Sequence, residues 1–228
     1  MAKKNTWGKV SNQICVKKGR NSLLELQSCL KPSSPLFPWH MHAENQEGEA
    51  GRSLIRMVMV DYSRKDSVSV YANISPEQTK YLYNLIRMRA KEVYFYEQKI
   101  FGKKEGRAKE GIVTCVTIQR HEADSSGKKR ERPWQVEIQN GTGTVAYNAN
   151  GGQFCEKGSY KMQKKSTIYL DDFEIFSLFG RAASVVEGFE RDALFHRRDL
   201  ENFRKLVAQI KKLLPGQEKP EDTEERAA

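Results

Sequence analysis

The 228-residue sequence lacks several features that would assign it to a familiar class. Its four cysteines are scattered, with no CxxC pair and no regular spacing, which argues against a zinc ribbon and a disulfide scaffold. No apolar run approaches the ~18–20 residues that a membrane helix needs. The basic start of the chain is followed by no apolar segment, so we expect no secretory signal and no membrane partner. These absences predict a cytoplasmic protein.

Groupings of residues that carry catalysis are also missing. His40 and His42 form an H-x-H pair, but no third ligand stands at metal-binding spacing nearby. The Asp171–Asp172 pair lies where a helix is expected to begin, which favours a capping role. No base for a Cys155 nucleophile is identifiable, and the glycines at 141–143 lack nucleotide-loop spacing. We therefore predict no enzyme activity, no metal and no cofactor.

Positive charge is abundant and unevenly distributed. The chain has 39 Lys and Arg against 29 Asp and Glu, a net charge of +10. Residues 215–228 hold five acids and two bases, or −3, so the rest of the chain carries +13. That tail has no large apolar residue and is expected to be disordered. A basic body favours an anionic partner, and nucleic acid is the commonest one.

The first half of the sequence predicts strands followed by a helix. Short strand candidates cover 10–16 and 23–30, and a Pro-rich loop at 31–51 separates them from stronger candidates at 54–62 and 67–74. A helix is then expected, with Ser75 as its N-cap, Pro76 in its first turn and Gln78 completing a capping box. Its predicted apolar stripe comprises Leu82, Leu85, Ile86 and Val93.

The second half repeats this plan. Strands are predicted at 112–118, 134–139, 143–147 and 166–170, with a hairpin turn at Asn140–Gly141. Asp171, with Glu174 three residues later, predicts the cap of a second helix. A separate amphipathic helix is expected after it, and it must bury its stripe on its own sheet or on another subunit. That stripe comprises Leu200, Phe203, Val207, Ile210 and Leu214.

The two halves align at an offset of 96 residues, with Ser75 on Asp171 and Gln78 on Glu174. This alignment favours an internal duplication, although chance remains open because capped strand-helix junctions are common. The predicted fold class is α+β, with two antiparallel sheet units that each end in a helix. The predicted units are residues 1–100, residues 101–214 and the tail.

Two basic runs in the second half are interleaved with aromatic residues, the pattern that unpaired nucleic acid requires, because cations track phosphates and flat rings stack on bases. We expect both runs to form one basic surface. The alternative places the aromatics in the core and the lysines on a solvated rim, and for Trp134 the core is favoured. The predicted binding residues are Lys128, Lys129, Arg130, Arg132, Tyr147, Lys157, Tyr160, Lys161, Lys164, Lys165 and Tyr169.

Four segments carry a resemblance to known proteins. The stretches at 133–143, 150–160 and 168–172, together with 61–77, resemble a poorly characterised family of bacterial conjugative and other mobile elements. The repeated plan of strands and a helix also looks like the Whirly proteins, whose paired β-β-β-β-α units bind single-stranded DNA. The second resemblance is architectural and transfers no individual residue.

The sequence therefore predicts a non-catalytic protein that binds single-stranded nucleic acid, with DNA favoured over RNA. Two alternatives stay open at this point. One is an accessory subunit of a DNA-transfer complex, which contacts another protein or a second copy of the chain through the helix at 200–214. The other is binding of duplex DNA by a basic β-ribbon.

Overall fold

The computed structural model describes residues 12–32, 42, 52–63, 66–102 and 110–213. The acidic tail and most of the predicted Pro-rich loop lie outside these residues. All of the predicted nucleic-acid-binding residues lie within these ranges, as do both sheets and both capped helices.

The first sheet contains four antiparallel strands in sequential order. They are β1 (Gln13–Lys18), β2 (Ser22–Cys29), β3 (Leu54–Asp61) and β4 (Val68–Ile74). Alternating residues such as Leu24, Met57 and Val70 are fully buried. This period of two buries one face of the sheet, as the sequence pattern predicted.

Helix α1 (Pro76–Arg87) follows β4 directly. The predicted capping box is confirmed, because the Gln78 amide donates to the Ser75 hydroxyl and the Ser75 amide donates to the Gln78 side chain. The helix ends earlier than predicted, because Arg89 adopts the left-handed conformation at φ 54°. Val93 therefore begins a strand instead of completing the helical stripe.

The second sheet contains five strands: β5 (Val93–Phe101), β6 (Glu110–Arg120), β7 (Trp134–Tyr147), β8 (Gln153–Cys155) and β9 (Lys161–Leu170). Strands β5 to β8 lie in sequential order, and β9 also pairs with β7. The α+β class is confirmed, with two antiparallel sheets. The expected unit boundary at residue 100 is wrong, because β5 pairs with β6 in the second sheet.

The predicted hairpin turn at Asn140–Gly141 is also wrong. Strand β7 continues through both residues, and its register with β9 shifts there by one residue. A Cβ on Gly141 would lie 2.1 Å from the Lys161 carbonyl oxygen, so glycine permits a close approach of two backbones. Asn140 exchanges hydrogen bonds with the Tyr71 backbone of β4, at 2.9 and 2.6 Å, and so links the two sheets.

Helix α2 (Asp172–Leu213) is a single element of 42 residues, so the predicted separate C-terminal helix is the distal part of α2. Its predicted cap is confirmed. The Glu174 amide donates to the Asp171 carboxylate at 2.7 Å, and the Asp171 amide donates to the Glu174 carboxylate at 3.0 Å.

One hydrophobic core joins both sheets and both helices. Trp134 lies inside it with 1% exposure, which confirms the core assignment. The Trp134 indole donates to the Asp172 carboxylate at 2.7 Å, so its only polar atom is satisfied. A smaller hydrophobic cluster around Ile100, Val113 and Cys115 covers part of the opposite face of the second sheet, and the rest of that face lies outside the shared core.

Candidate nucleic-acid interface

The outer face of the second sheet is built from three rows that cross four strands. Directly opposed residues of antiparallel strands point to the same face. The rows alternate with buried residues such as Ile118 and Val136, which define the core side. The outer rows are Tyr94–Gln119–Gln135–Tyr169, Tyr96–Thr117–Glu137–Thr167 and Gln98–Cys115–Gln139–Lys165.

Three tyrosines on this face are open to solvent. Tyr94 is 72% exposed, Tyr96 48% and Tyr169 46%. Tyr94 and Tyr169 occupy the ends of one row, three strand spacings or about 14 Å apart. Between them the Gln119 amide donates to the Gln135 carbonyl at 3.1 Å. We name this surface, which carries Tyr94, Tyr96 and Tyr169, the tyrosine face.

The tyrosine face includes only one of the predicted aromatic residues, Tyr169. Tyr160 is half-buried, and its hydroxyl donates to the Gln139 side chain at 3.2 Å. Burial raises the pKa of Tyr160, with a further contribution from Cys115. The Tyr160 ring therefore packs against the edge of the face and is not available for stacking. Tyr147 is exposed, but it lies on the β7–β8 hairpin, away from the three rows.

Sequence reasoning missed Tyr94 and Tyr96 because it treated Val93 as part of helix α1. The missed signal is the alternation of residues 93–101, in which Tyr94, Tyr96 and Gln98 share one side. Burial raises the pKa of Tyr96, whose hydroxyl contacts the Cys115 sulfur at 3.7 Å. That contact holds the Tyr96 ring in place on the sheet.

The two predicted basic runs lie at opposite ends of the second sheet. Trp134 pairs with Leu170 at one end of the β7–β9 ladder, and Thr142 pairs with Lys161 at the other. Nine residues of strand separate these ends, which is about 30 Å. The expectation of a single patch is therefore corrected. The run at 128–132 flanks the Tyr169 end, and the lysines at 157 and 161 flank the opposite end.

At the Tyr169 end, Lys128, Lys129 and Arg132 are exposed, while Arg130 is half-buried. One Arg132 guanidinium nitrogen donates to the Tyr169 carbonyl at 3.1 Å, and the other lies 3.3 Å from a Glu174 oxygen. Arg132 is thus fixed directly beside the tyrosine face. Its positive charge is partly balanced by the Glu174 carboxylate.

Strand β9 carries cations along one border of the tyrosine face. Lys161, Lys164 and Lys165 are all exposed, and Lys165 lies in the third row of the tyrosine face, whereas Lys161 and Lys164 pair with residues of the opposite face. The Lys165 ammonium lies 2.7 Å from Glu137, the acid in the middle row. Although burial works to raise it, hydrogen bonds from Lys165 and Gln139 hold the pKa of Glu137 below its usual value. The carboxylate therefore stays ionised at neutral pH and opposes the approach of an anion.

A cleft of about 710 Å³ adjoins Tyr94, on the border opposite β9. Residues 91–94 and 119–123 line it. Arg120 is committed to ion pairs with Glu122 at 2.6 Å and Asp172 at 3.3 Å. Lys91 adds a cation on this side of the tyrosine face, next to the carboxylate of Glu92.

His42 has a structural role in this fold. Its ring stacks on Phe189 with centroids 5.2 Å apart, and its nitrogens contact Ser53 at 2.9 Å and Glu190 at 3.1 Å. Among the described residues, no group of three His, Cys, Asp or Glu side chains is placed to hold a metal ion. Within the same residues, no helix is long and apolar enough to cross a membrane.

Comparisons with protein-family models, curated proteins and solved structures return no match for this chain. They provide no link to mobile elements or to Whirly proteins, so both resemblances remain predictions. The case for a function therefore rests on the geometry of the tyrosine face and its flanking charges.

Proposed function

We propose that the protein binds single-stranded DNA, without catalysis, on the tyrosine face of its second sheet. The observation that carries this proposal is the exposure of Tyr94, Tyr96 and Tyr169 on one polar face. On the surface of a monomeric protein, exposed aromatic side chains are normally scattered one at a time. Three rings on one rigid sheet make a surface on which unpaired bases stack, at about 1–3 kcal/mol each.

The flanking cations supply the complementary interaction with phosphates. Lys91 lies on one border of the face, and Lys165, which is also paired with Glu137, lies on the other. A single strand that crosses the sheet places its bases on the rings and its phosphates near these borders. A duplex hides its base faces within its own stack, so the geometry favours single strands over the β-ribbon alternative.

We infer that the two sheet-and-helix units are duplicates, in the manner of the Whirly proteins. Both units end in a helix with the same capping box, in which the cap pairs with the third helical residue. The caps lie 96 residues apart, as Ser75 and Asp171. A role in handling transferred DNA of a mobile element belongs to this same proposal.

The decisive test is fluorescence anisotropy with labelled oligonucleotides of one sequence: single-stranded DNA, duplex DNA and single-stranded RNA. We expect the tightest binding to single-stranded DNA. The logarithm of affinity should fall with the logarithm of salt at a slope of about −0.7 per phosphate neutralised. Equal affinity for the duplex, or no binding at low salt, contradicts the proposal. Tighter binding of RNA contradicts the choice of DNA alone.

A matched pair of variants locates the site. Tyr169→Ala removes a ring of the tyrosine face, and Tyr81→Ala removes a 58% exposed ring of helix α1. We expect Tyr169→Ala to weaken binding about 5- to 150-fold, the equivalent of one stacked base. Tyr81→Ala should leave the affinity unchanged. Equal changes of affinity in both variants would show that the tyrosine face is not the binding site.

A further inference from the structure

Helix α2 carries a stripe along its whole length in which every residue except His196 is apolar. The stripe alternates steps of four and three residues, an average of 3.5, which is the period of a coiled coil. Its members come from both the proximal and the distal part of the helix. They are Ile175, Phe179, Ala182, Val186, Phe189, Ala193, His196, Leu200, Phe203, Val207 and Ile210, and Leu214 continues the sequence pattern.

The proximal part of this stripe is used inside the chain. Ile175, Phe179 and Val186 are fully buried in the shared core. Glu190, farther along the helix, pairs with Lys80 at 2.8 Å and with His42 at 3.1 Å. Helix α2 then continues for another 23 residues, or about 34 Å.

In the distal part of the stripe, Ile210 is 45% exposed, whereas Ala193 and Val207 are half-buried. Leu206, adjacent to the stripe, is 53% exposed. An apolar stripe at heptad spacing gains stability in water only when a partner helix covers it. The partner must therefore present an apolar seam of the same period.

The charges beside the stripe indicate which partner fits. With Leu200 and Val207 at heptad position a, the e positions are Arg197, Arg204 and Lys211, all basic. The preceding g positions are Asp192 and Asp199, both acidic, followed by Leu206. In a parallel coiled coil, each g residue faces the e residue five positions later on the other helix. Asp192 then faces Arg197, and Asp199 faces Arg204.

We propose that the distal part of α2, residues 193–213, forms a parallel coiled coil with a second copy of this chain. A second copy of the chain supplies both the matching stripe and the opposite charge of each pair, so the chain is complementary to itself. An antiparallel arrangement places e beside e, which brings the basic residues together. Leu206 at a g position widens the apolar seam.

The first test is the mass of the full-length chain by analytical ultracentrifugation over a range of concentrations. We expect an oligomer, and we expect Val207→Asp to raise its dissociation constant at least tenfold. Gln209→Asp is the matched control, because it adds the same charge at an outward c position. A monomeric wild type at 100 µM would overturn the proposal, as would equal effects of both variants.

The second test reads the direction of the helices by disulfide crosslinking. Leu200→Cys and Val207→Cys are prepared as separate variants, and both are compared with the wild type on non-reducing gels. In a parallel coiled coil each new cysteine meets its own copy, so both variants should gain a crosslinked dimer. In an antiparallel pair, a residue lies opposite its own copy only where the two-fold axis crosses the helices. At most one of the two variants would therefore crosslink. That outcome would overturn the parallel arrangement.

The charge pairs supply a third, independent readout. Asp199→Arg places two basic residues side by side and should weaken self-association several-fold at low salt. The double variant Asp199→Arg with Arg204→Asp restores the opposite charges and should recover the wild-type affinity. If the double variant associates more weakly than Asp199→Arg alone, the g–e pairing is wrong. Circular dichroism confirms that each variant keeps its helix content.

Discussion

The outer faces of the two sheets differ in chemistry although their topologies are alike. On the first sheet, the central rows are Val16–Glu25–Val58–Tyr71 and Lys18–Leu23–Val60–Ser69, and half of their residues are aliphatic. Their valines and leucine are half-buried, and Tyr71 is the one aromatic ring in these rows. On the second sheet, the corresponding rows contain tyrosine, glutamine and threonine.

This difference shows that the backbone plan alone does not create a binding surface. Both sheets bury one face in the same core, and this packing requirement gives both the same alternation of apolar residues. The outer face is free of that constraint, so its residues reflect what the face contacts. Arg56 lies over the Tyr71 ring at 5.8 Å, so even the tyrosine of the first sheet is already covered on one side.

The largest expected effect comes from removing two rings of the tyrosine face together. Tyr94→Ala with Tyr169→Ala should weaken binding of single-stranded DNA by about 2–6 kcal/mol, the sum of two stacked bases. Tyr71→Ala on the first sheet should change the affinity by less than twofold. The measurement is equilibrium anisotropy at one fixed salt concentration, because salt alone changes affinity strongly.

Phenylalanine variants separate stacking from hydrogen bonding in this comparison. Tyr94→Phe with Tyr169→Phe keeps both flat rings and should bind within about threefold of the wild type. A loss as large as that of the alanine variant would show that the hydroxyl groups carry the interaction. A loss in Tyr71→Ala equal to that of the double variant would assign binding to both sheets.

The next largest effect concerns the close contact that holds β9 beside the tyrosine face. Gly141→Ala places a methyl group 2.1 Å from the Lys161 carbonyl oxygen and 2.9 Å from the Tyr160 ring. The backbones must separate, which should lower the free energy of unfolding by about 1–3 kcal/mol. Urea denaturation measures this loss.

The control for this substitution is Gly188→Ala in helix α2, where a new Cβ meets no atom within 4 Å. That variant should be neutral or more stable, because alanine favours helix over glycine by about 1 kcal/mol. If Gly141→Ala is as stable as the wild type, the register shift at Asn140 does not depend on the glycine.

A smaller effect is expected from the cations that border the tyrosine face. Lys165→Gln removes the exposed charge of β9 that lies in a row of the tyrosine face and should reduce the magnitude of the salt slope by about 0.7. Lys18→Gln, an exposed lysine of the first sheet, is the control and should leave the slope unchanged. Equal slopes in all three proteins would exclude Lys165 from phosphate contact.

The sequence predicted those parts of the fold that depend on local patterns. Period-two alternation placed the strands around Leu24 and Val70, and the cap residues placed the starts of both helices. The end of α1 was missed, because an arginine in the left-handed conformation is not a sequence signal for termination. Asn140–Gly141 was misread, because the same dipeptide that favours a turn also permits close strand approach.

The candidate site was less predictable for a different reason. A basic run such as 157–165 is visible in the sequence, but the register of β7 with β9 decides which end of the sheet it occupies. The tyrosine face combines residues from β5 and β9, which are 75 positions apart at Tyr94 and Tyr169. Only the pairing of all four strands brings these rings into one row.

The smallest expected effect concerns the single carboxylate in the rows of the tyrosine face. Glu137→Gln keeps the shape of the side chain and releases Lys165 from its 2.7 Å ion pair. The variant should bind single-stranded DNA several-fold more tightly at low salt, and the gain should vanish at high salt because exposed charges are screened. Glu25→Gln, in a central row of the first sheet, is the matched control and should have no effect.

The pH dependence of stability sharpens the same comparison. Because the pKa of Glu137 is lowered in the folded protein, its ionised form stabilises the fold above the ordinary value of 4.5. This contribution is lost as the pH falls below 4.5 and through the lower folded pKa, whereas Glu137→Gln never has it. The difference in unfolding free energy between wild type and variant should therefore be constant near neutral pH and shrink under acid. A difference that grows under acid would mean that the carboxylate is strained rather than stabilised by Lys165 and Gln139.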